Sequence, residues 1–449
     1  MYIKGRCIVS VSVLLFIQQT MAAGMDCTKA ANTVENTVCA NKSLYEVDAQ
    51  MGAIYRDLFK ASGPAQAELK RAQRLWLKAR NACAEDVSCL DQQYRERLQA
   101  LHAQWQAAVA YQPDDLDKQA LDDLQKRIQA ASKDDPEFAL DRVLASLAVK
   151  TPAGGFHGEA SAEDSLITHF PTLQPEGVGV DEWRALTASR IDDAAETGLT
   201  SYSLRDLDGD GQRDLIVNTY AGGTGLFTYV ETWRRDGERF IKRSVEPDSS
   251  LFYTNDRGAN QSVDWINLRG KTYAAYRNSE YGVDRVYLLN PLKINVQVPT
   301  VTIRYRYALD VPALQHKDDG NSTFELESDL HRALNLAVAK VTEPAAIPSK
   351  EPLCPIPATG AGENDYYSFG PAHYTIEKVA DLPVFIGNDC YIGALIDWFG
   401  SYSEKNGLFA QLALRKPDSD DGSRTYQVYG RRHITEVSTS LGKVELNEG

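Results

Sequence analysis

The chain has 449 residues, more than one hydrophobic core usually spans, so two or three domains are expected. It is 43% hydrophobic, 9% aromatic and 24% charged, which excludes a disordered, collagen-like or multi-span membrane chain. Its 48 Lys and Arg against 62 Asp and Glu leave a formal charge of -14, so nothing global favours nucleic acid or anionic lipid, and a cationic partner or bound cations fit better.

Residues 1–24 read as a secretory signal peptide. Lys4 and Arg6 form a basic start, the apolar run Cys7 to Ile17 follows, and Met21-Ala22-Ala23-Gly24 offers small residues for cleavage. That run is shorter than the roughly 20 residues a spanning helix needs. No lipid-attachment pattern precedes Cys27, where Gly24-Met25-Asp26 stands. The expectation is a periplasmic or secreted protein without a membrane span after signal removal. Removing Cys7 leaves Cys27, Cys39, Cys83, Cys89, Cys354 and Cys390, an even set expected to form three disulfides in an oxidising compartment. No pair has the two-residue spacing of a zinc knuckle.

Residues 25–112 carry helical periodicity. Leu44, Val47, Met51, Ile54 and Leu58 fall on one helix face, with Ser43 and Glu46 as a capping box at its start. Ser62-Gly63-Pro64 ends that helix and opens a second, striped by Leu69, Ala72, Trp76, Ala79 and Cys83. A third stripe, Leu90, Tyr94, Leu98, Leu101 and Trp105, completes a three-helix bundle before Pro113. Counted outward from the turn at Gly63, Cys39 and Cys83 reach similar height in an antiparallel hairpin. Cys39 with Cys83 and Cys27 with Cys89 is therefore the first-ranked connectivity, and the local pairs Cys27 with Cys39 and Cys83 with Cys89 are the alternative, which spacing does not decide.

These residues resemble a known family. Cys27, Glu35, Cys39, Leu44, Asp48 and Tyr55, the run Gln73-Arg74-Leu75-Trp76-Leu77-Lys78-Ala79-Arg80-Asn81-Ala82-Cys83, then Cys89 and Tyr94 to Arg97 look like the LprI-type lysozyme-inhibitor domain over residues 27–101. The resemblance implies a periplasmic helical module and, for some members, binding to lysozyme. On the apolar stripe, Trp76 reads as core, whereas Arg74, Arg80 and Arg97 read as solvated or paired with local carboxylates. Residues 25–112 hold eleven basic and ten acidic side chains, so the acidic surplus lies downstream, and steering of a basic muramidase is expected from the C-terminal part.

Residues 113–151 read as a helical connector, with helices near 114–132 and 135–149, the second capped by Asp135. Beyond about residue 152, Tyr, Val and Thr in short runs broken by Gly, Asn and Asp indicate a β-rich mixed domain to 449, with a possible division near 345–355. The expected fold is thus multi-domain α+β, a disulfide-tied helical bundle followed by a β-rich domain.

The strongest chemical motif is Asp206-Leu207-Asp208-Gly209-Asp210-Gly211-Gln212-Arg213-Asp214. Oxygen ligands from Asp206, Asp208, Asp210 and Asp214, a backbone carbonyl at Gln212 and a glycine for the sharp turn suit one structural Ca²⁺. Val217 stands where an EF-hand carries its bidentate Glu, and the flanks look like strands, so the loop resembles the calcium hairpins of integrin-type FG-GAP repeats. Later runs suggest strands near 229–234, 239–243, 271–277, 284–289, 301–307, 374–378, 407–415 and 425–431, with a helix started by Ser328.

No nucleophile elbow, phosphate loop, dinucleotide fingerprint or His-Glu-x-x-His helix is present. Asp365-Tyr366-Tyr367 and Asp397-Trp398-Phe399 are the aromatic and acidic runs that would suit a glycan cleft. The leading reading is a non-enzymatic binding protein, a lysozyme inhibitor-like protein that blocks the muramidase cleft, with lysozyme or another cationic envelope protein as partner. A calcium-stabilised adhesion or scaffold module and a glycan hydrolase are the alternatives.

Overall fold

The computed structural model describes residues 25–150, 154–160, 168–189, 191, 199–222, 227–243, 250–255, 260–317, 322–342, 351–358, 363–370, 377–419 and 421–443. The signal-peptide expectation for residues 1–24 lies outside them. The chain forms two compact units that divide between Ala110 and Tyr111. The first is helical and the second strand-rich, a multi-domain α+β fold.

The first unit has four α-helices, α1 (Thr33–Ala40), α2 (Lys42–Ala61), α3 (Gln66–Asn81) and α4 (Val87–Val109). The heptad-like spacing of α2 buries Leu44, Met51, Ile54 and Leu58 against Leu90, Tyr94 and Leu101 of α4. Burying each aliphatic side chain stabilises the unit by about 1.5–3 kcal/mol. Helix α1 adds Val34 and Val38 to that core. The periodicity count did not reach α1, whose start is set by Asn32, which accepts the Glu35 N–H at 3.0 Å. Similarly, Asn41 and not Ser43 caps α2, accepting the Leu44 N–H at 3.2 Å. Asn41 has extended backbone (φ -110°, ψ 111°), so it closes α1 and opens α2 in one residue.

That break corrects the first-ranked disulfide connectivity. Cys39 lies on α1 and does not continue the line of α2 towards Cys83. Instead, the turn at Cys27–Lys29 folds back to join Cys27 to Cys39, with Cα atoms 5.7 Å apart. The turn after α3, with Ala84 at φ 50°, brings Cys83 to Cys89 at a Cα separation of 5.6 Å. Both bridges are local, and Cys83 lies beyond the end of the helix whose stripe was expected to include it.

In the second unit the stretch read as a connector is part of the core. Helices α5 (Asp115–Ala131) and α6 (Ala139–Leu147) place Leu124, Ile128, Leu140 and Leu144 against the sheet. Asp135 caps the turn ahead of α6, accepting the Phe138 N–H at 3.0 Å, and the helix itself begins at Ala139. Helices α7 (Val180–Ala188) and α8 (Ser328–Val338) complete the α-helices of the described residues.

Fourteen strands among the described residues make one antiparallel sheet. They are β1 (Gly154–His157), β2 (Leu199–Arg205), β3 (Asp214–Gly222), β4 (Phe227–Asp236), β5 (Arg239–Lys242), β6 (Phe252–Asn255) and β7 (Gln261–Leu268). Then come β8 (Lys271–Glu280), β9 (Val283–Leu289), β10 (Val298–Asp310), β11 (Glu377–Ile386), β12 (Asp389–Ser403), β13 (Gly407–Arg415) and β14 (Arg424–Gly442). The order is β11-β12-β13-β14-β10-β9-β8-β7-β6-β4-β3-β2-β1, with β5 paired to β4. Two meanders therefore meet where β10 pairs with β14. Strands on both sides of the possible division near 345–355 join this one sheet, and most of that stretch lies outside the described residues.

Alternation splits the sheet's faces. On β8, Tyr273 and Ala275 enter the core with α5 and α6, while Ala274 and Tyr276 enter another on the opposite face. The first core also takes Leu382 and Val384 of β11 and Leu395 of β12, so the sheet curls far enough for its β11 edge to share a core with β7 to β10. Cys354 and Cys390 form the third disulfide, with Cα atoms 5.8 Å apart, tying the segment before β11 to the start of β12.

Candidate functional site

In the helical unit the signature residues build the interior. Asp48 is buried, and its carboxylate accepts the Tyr94 hydroxyl at 2.8 Å and the Met25 backbone N–H at 2.8 Å. The Tyr94 oxygen in turn accepts from the Arg80 guanidinium at 3.0 Å, and Arg80 donates again to Asn81 Oδ1 at 2.8 Å. Trp76 packs edge-on to Tyr94 with ring centroids 5.3 Å apart and donates its indole N–H to the Gln93 carbonyl at 3.1 Å. Arg97 is held by Gln73 Oε1 at 2.8 and 3.0 Å. Burial pushes the Tyr94 hydroxyl well above its ordinary value, aided by the adjacent Asp48 charge.

Trp76 is therefore core, as its stripe position implied. Arg80 and Arg97 are buried and bound to a tyrosine and two amides, not solvated or paired with local carboxylates. Asp48, reached through Tyr94, supplies a balancing charge, and Glu35 also feels the Arg80 guanidinium. The fixed spacing of Gln73, Trp76 and Arg80 puts all three on the inner face of α3, and that face is what the signature run encodes.

The opposite face of α3 is open to solvent. Arg71, Arg74, Leu75 and Lys78 are all exposed, Leu75 to 65%.

In the strand-rich unit the aspartate loop joins β2 to β3. Gly209 and Gly211 sit at φ 80° and 85°, where a side chain would be strained. Asp206 accepts the N–H groups of Gly209 at 2.7 Å and Gly211 at 3.0 Å, and Asp210 accepts that of Gln212 at 2.7 Å. Carboxylate oxygens of Asp206, Asp208 and Asp210 converge within 4.8 Å, an all-oxygen donor set suited to a hard cation.

Asp214 is not brought into that group. It is 1% exposed, and its two oxygens accept the backbone N–H groups of Leu207 at 2.9 Å and Arg235 at 2.8 Å, clamping the base of the hairpin to β4. Burial pushes its carboxyl up to about 7. The Gln212 side chain donates to Asp210 at 3.3 Å, leaving its backbone carbonyl as the group the motif assigns to a cation. Arg213 turns away to Glu182 of α7 at 2.5 and 2.7 Å, and its guanidinium holds that carboxyl below its ordinary value.

A buried polar cluster escaped sequence reasoning. Arg432 of β14 lies between the rings of Tyr305 at 4.0 Å and Tyr402 at 4.3 Å. Asp284, 1% exposed, accepts the Tyr305 hydroxyl at 2.8 Å and pairs with Arg432 at 3.6 Å. Burial raises the Asp284 carboxyl, but Arg432 and Arg277 outweigh it and hold the group below its ordinary 3.8. The signal was the alternation of Tyr305 and Tyr307, which put both rings on one face; what they face depends on the register that sets Tyr307 opposite Arg432. Of the runs named for a glycan cleft, Asp397 is fully buried, and Tyr366 is buried with its hydroxyl on Asp418.

Comparison with known proteins matches residues 26–101 to the family described as "Lysozyme inhibitor LprI". Three curated relatives, each named "Lipoprotein LprI", from Mycobacterium bovis and two strains of Mycobacterium tuberculosis, are 32% identical over 82 residues. The shared stretch is 18% of this chain and spans 41% of the relatives' own length. No solved structure matches. No helix among the described residues is long and apolar enough to cross a membrane. The helical unit, with its Cys27–Cys39 bridge and the Trp76, Arg80 and Tyr94 core, thus carries an LprI-type lysozyme-inhibitor domain at residues 26–101.

Proposed function

We propose that the protein is an exported, cell-envelope lysozyme inhibitor-like binding protein that acts by occupying the muramidase cleft, without turning over a substrate. The observation that carries this reading is the coincidence of the family match with one complete, separately cored helical unit. The acidic balance of the whole chain, -14, favours encounter with a basic muramidase. Clearing of a cell-wall suspension by a purified C-type lysozyme, with and without this protein, is the test. Slowed clearing that saturates with added protein is expected; unchanged clearing at large molar excess overturns the reading.

A second element of the proposal concerns the aspartate loop. Three converging carboxylates repel one another unless a cation or protons neutralise them, and a bound Ca²⁺ would be held by Asp206, Asp208 and Asp210 with the Gln212 carbonyl. Its role there is to pin the β2–β3 hairpin. Calorimetric titration with CaCl₂ should give one site that Asp208→Asn weakens at least tenfold; absence of binding heat at millimolar Ca²⁺ removes the ion from the account. The adhesion or scaffold alternative rests on the same loop and predicts an envelope partner recovered only with Ca²⁺.

A further inference from the structure

We propose that the outer face of α3, Arg71, Arg74, Leu75 and Lys78, is the surface that enters the acidic cleft of the muramidase; this inference rests on the lysozyme-inhibitor reading above. At about 100° per residue, these four side chains fall within an arc of about 100°, directly opposite Leu69, Gln73, Trp76 and Arg80 on the buried face. The inner face is locked by the Trp76 and Arg80 contacts, so the outer face is presented by a rigid helix.

Its charge is of one sign, with three cations and one exposed leucine. Elsewhere in the same unit, four surface cations pair with an acid three or four residues away, Lys29 with Asp26, Lys42 with Glu46, Lys60 with Asp57 and Arg95 with Asp91, while Lys70 lies over the Phe59 ring. Among the described residues, Arg71, Arg74 and Lys78 form no ion pair, and Glu68, three residues before Arg71, is the one acid on α3. Like charges at these spacings repel one another and destabilise the helix that carries them. An unneutralised basic stripe on an acidic protein, with a leucine exposed at its centre, is matched by an acidic groove with an apolar spot.

A glycan-cleaving muramidase offers such a groove. Its two catalytic carboxyl groups stand about 5–5.5 Å apart in the retaining class. Arg74 and Lys78 are separated by about 6 Å of helical rise, so one face can address both acids at once. The two scales of electrostatics then divide the work. The acidic chain attracts the basic enzyme at long range, and the basic stripe fits its cleft at contact.

The test compares the purified full chain with the triple variant Arg71→Glu, Arg74→Glu, Lys78→Glu in lysozyme inhibition, with far-ultraviolet circular dichroism to confirm that helix is retained. A second triple variant, Lys29→Glu, Lys42→Glu, Lys60→Glu, makes the same change in net charge away from the face. Inhibition by the α3 variant should weaken by roughly a hundredfold or more, while the second variant inhibits as the unmodified chain does. If the unmodified chain inhibits and the α3 variant inhibits equally well, the inference fails and the inhibitor reading stands. If the unmodified chain does not inhibit, the reading itself fails. Cosedimentation with phosphatidylglycerol vesicles that is lost in the α3 variant, alongside unchanged inhibition, would assign the face to a lipid surface and overturn the proposal.

Discussion

The two units solve the same problem, a buried charge in an apolar interior, over different chain distances. In the helical unit Asp48 is reached by Tyr94 and Arg80 from helices that follow it closely, and two disulfides close loops of 12 and 6 residues around them. In the strand-rich unit Asp284 meets Arg432 only because β10 pairs with both β9 and β14. The first arrangement is local and cross-linked, as a small core requires; the second is non-local and depends on a large sheet being complete. Damage to the first should therefore stay in the helices, and damage to the second should spread through the sheet.

The strongest way to break this comparison is Asp284→Ala, which leaves Arg432 with the more distant Asp141, 4.0 Å away, as its counter-charge. A loss of about 3–5 kcal/mol is expected, seen in calorimetry as a lowered transition for the strand-rich unit with the helical transition unmoved. The pH dependence has a defined sign. Because Asp284 is held below 3.8, its ion pair contributes stability present above that pH and lost as pH falls through the lower folded value. Acid titration of the unmodified protein should show the strand-rich unit weakening below about pH 4, and Asp284→Asn should flatten that dependence.

Removing the Cys27–Cys39 bridge by paired serine substitution should cost about 2–4 kcal/mol, confined to the helical transition. Peptide mapping of the unreduced protein checks the connectivity directly; a Cys39–Cys83 peptide would overturn the separate α1. A smaller effect, roughly 1–3 kcal/mol, is expected for Tyr94→Phe, which leaves Asp48 buried without that donor. Asn41→Ala, which removes the side-chain cap of α2, should cost about 1 kcal/mol in the same transition. If either substitution moved the strand-rich transition equally, the independence of the two units would be lost.

Legibility followed the distance over which each feature is decided. Helices α2, α3 and α4 were readable because apolar side chains repeat at three and four residues, and β8, β9 and β10 because Tyr, Val and Ile crowd short runs. The convergence of Asp206, Asp208 and Asp210 was readable because glycines and alternate aspartates close the loop on itself. Asp214 belonged to the same motif by spacing, yet the N–H of Arg235 on a neighbouring strand claims one of its oxygens. The Arg80 partner is hidden from the sequence for a similar reason, since Tyr94 lies on another helix.

By itself the sequence determined what depends on neighbours within a few residues: helical and extended periods, turn glycines, the cysteine inventory and the signature run of residues 73–83. Only the tertiary structure decided which cysteines meet, that residues 113–151 belong to the strand-rich core, and that Asp284, Tyr305 and Arg432 form one cluster. A short-range pattern reports the local backbone period, whereas a long-range contact depends on where every intervening turn sends the chain. One extended residue, Asn41, was enough to send Cys39 away from Cys83.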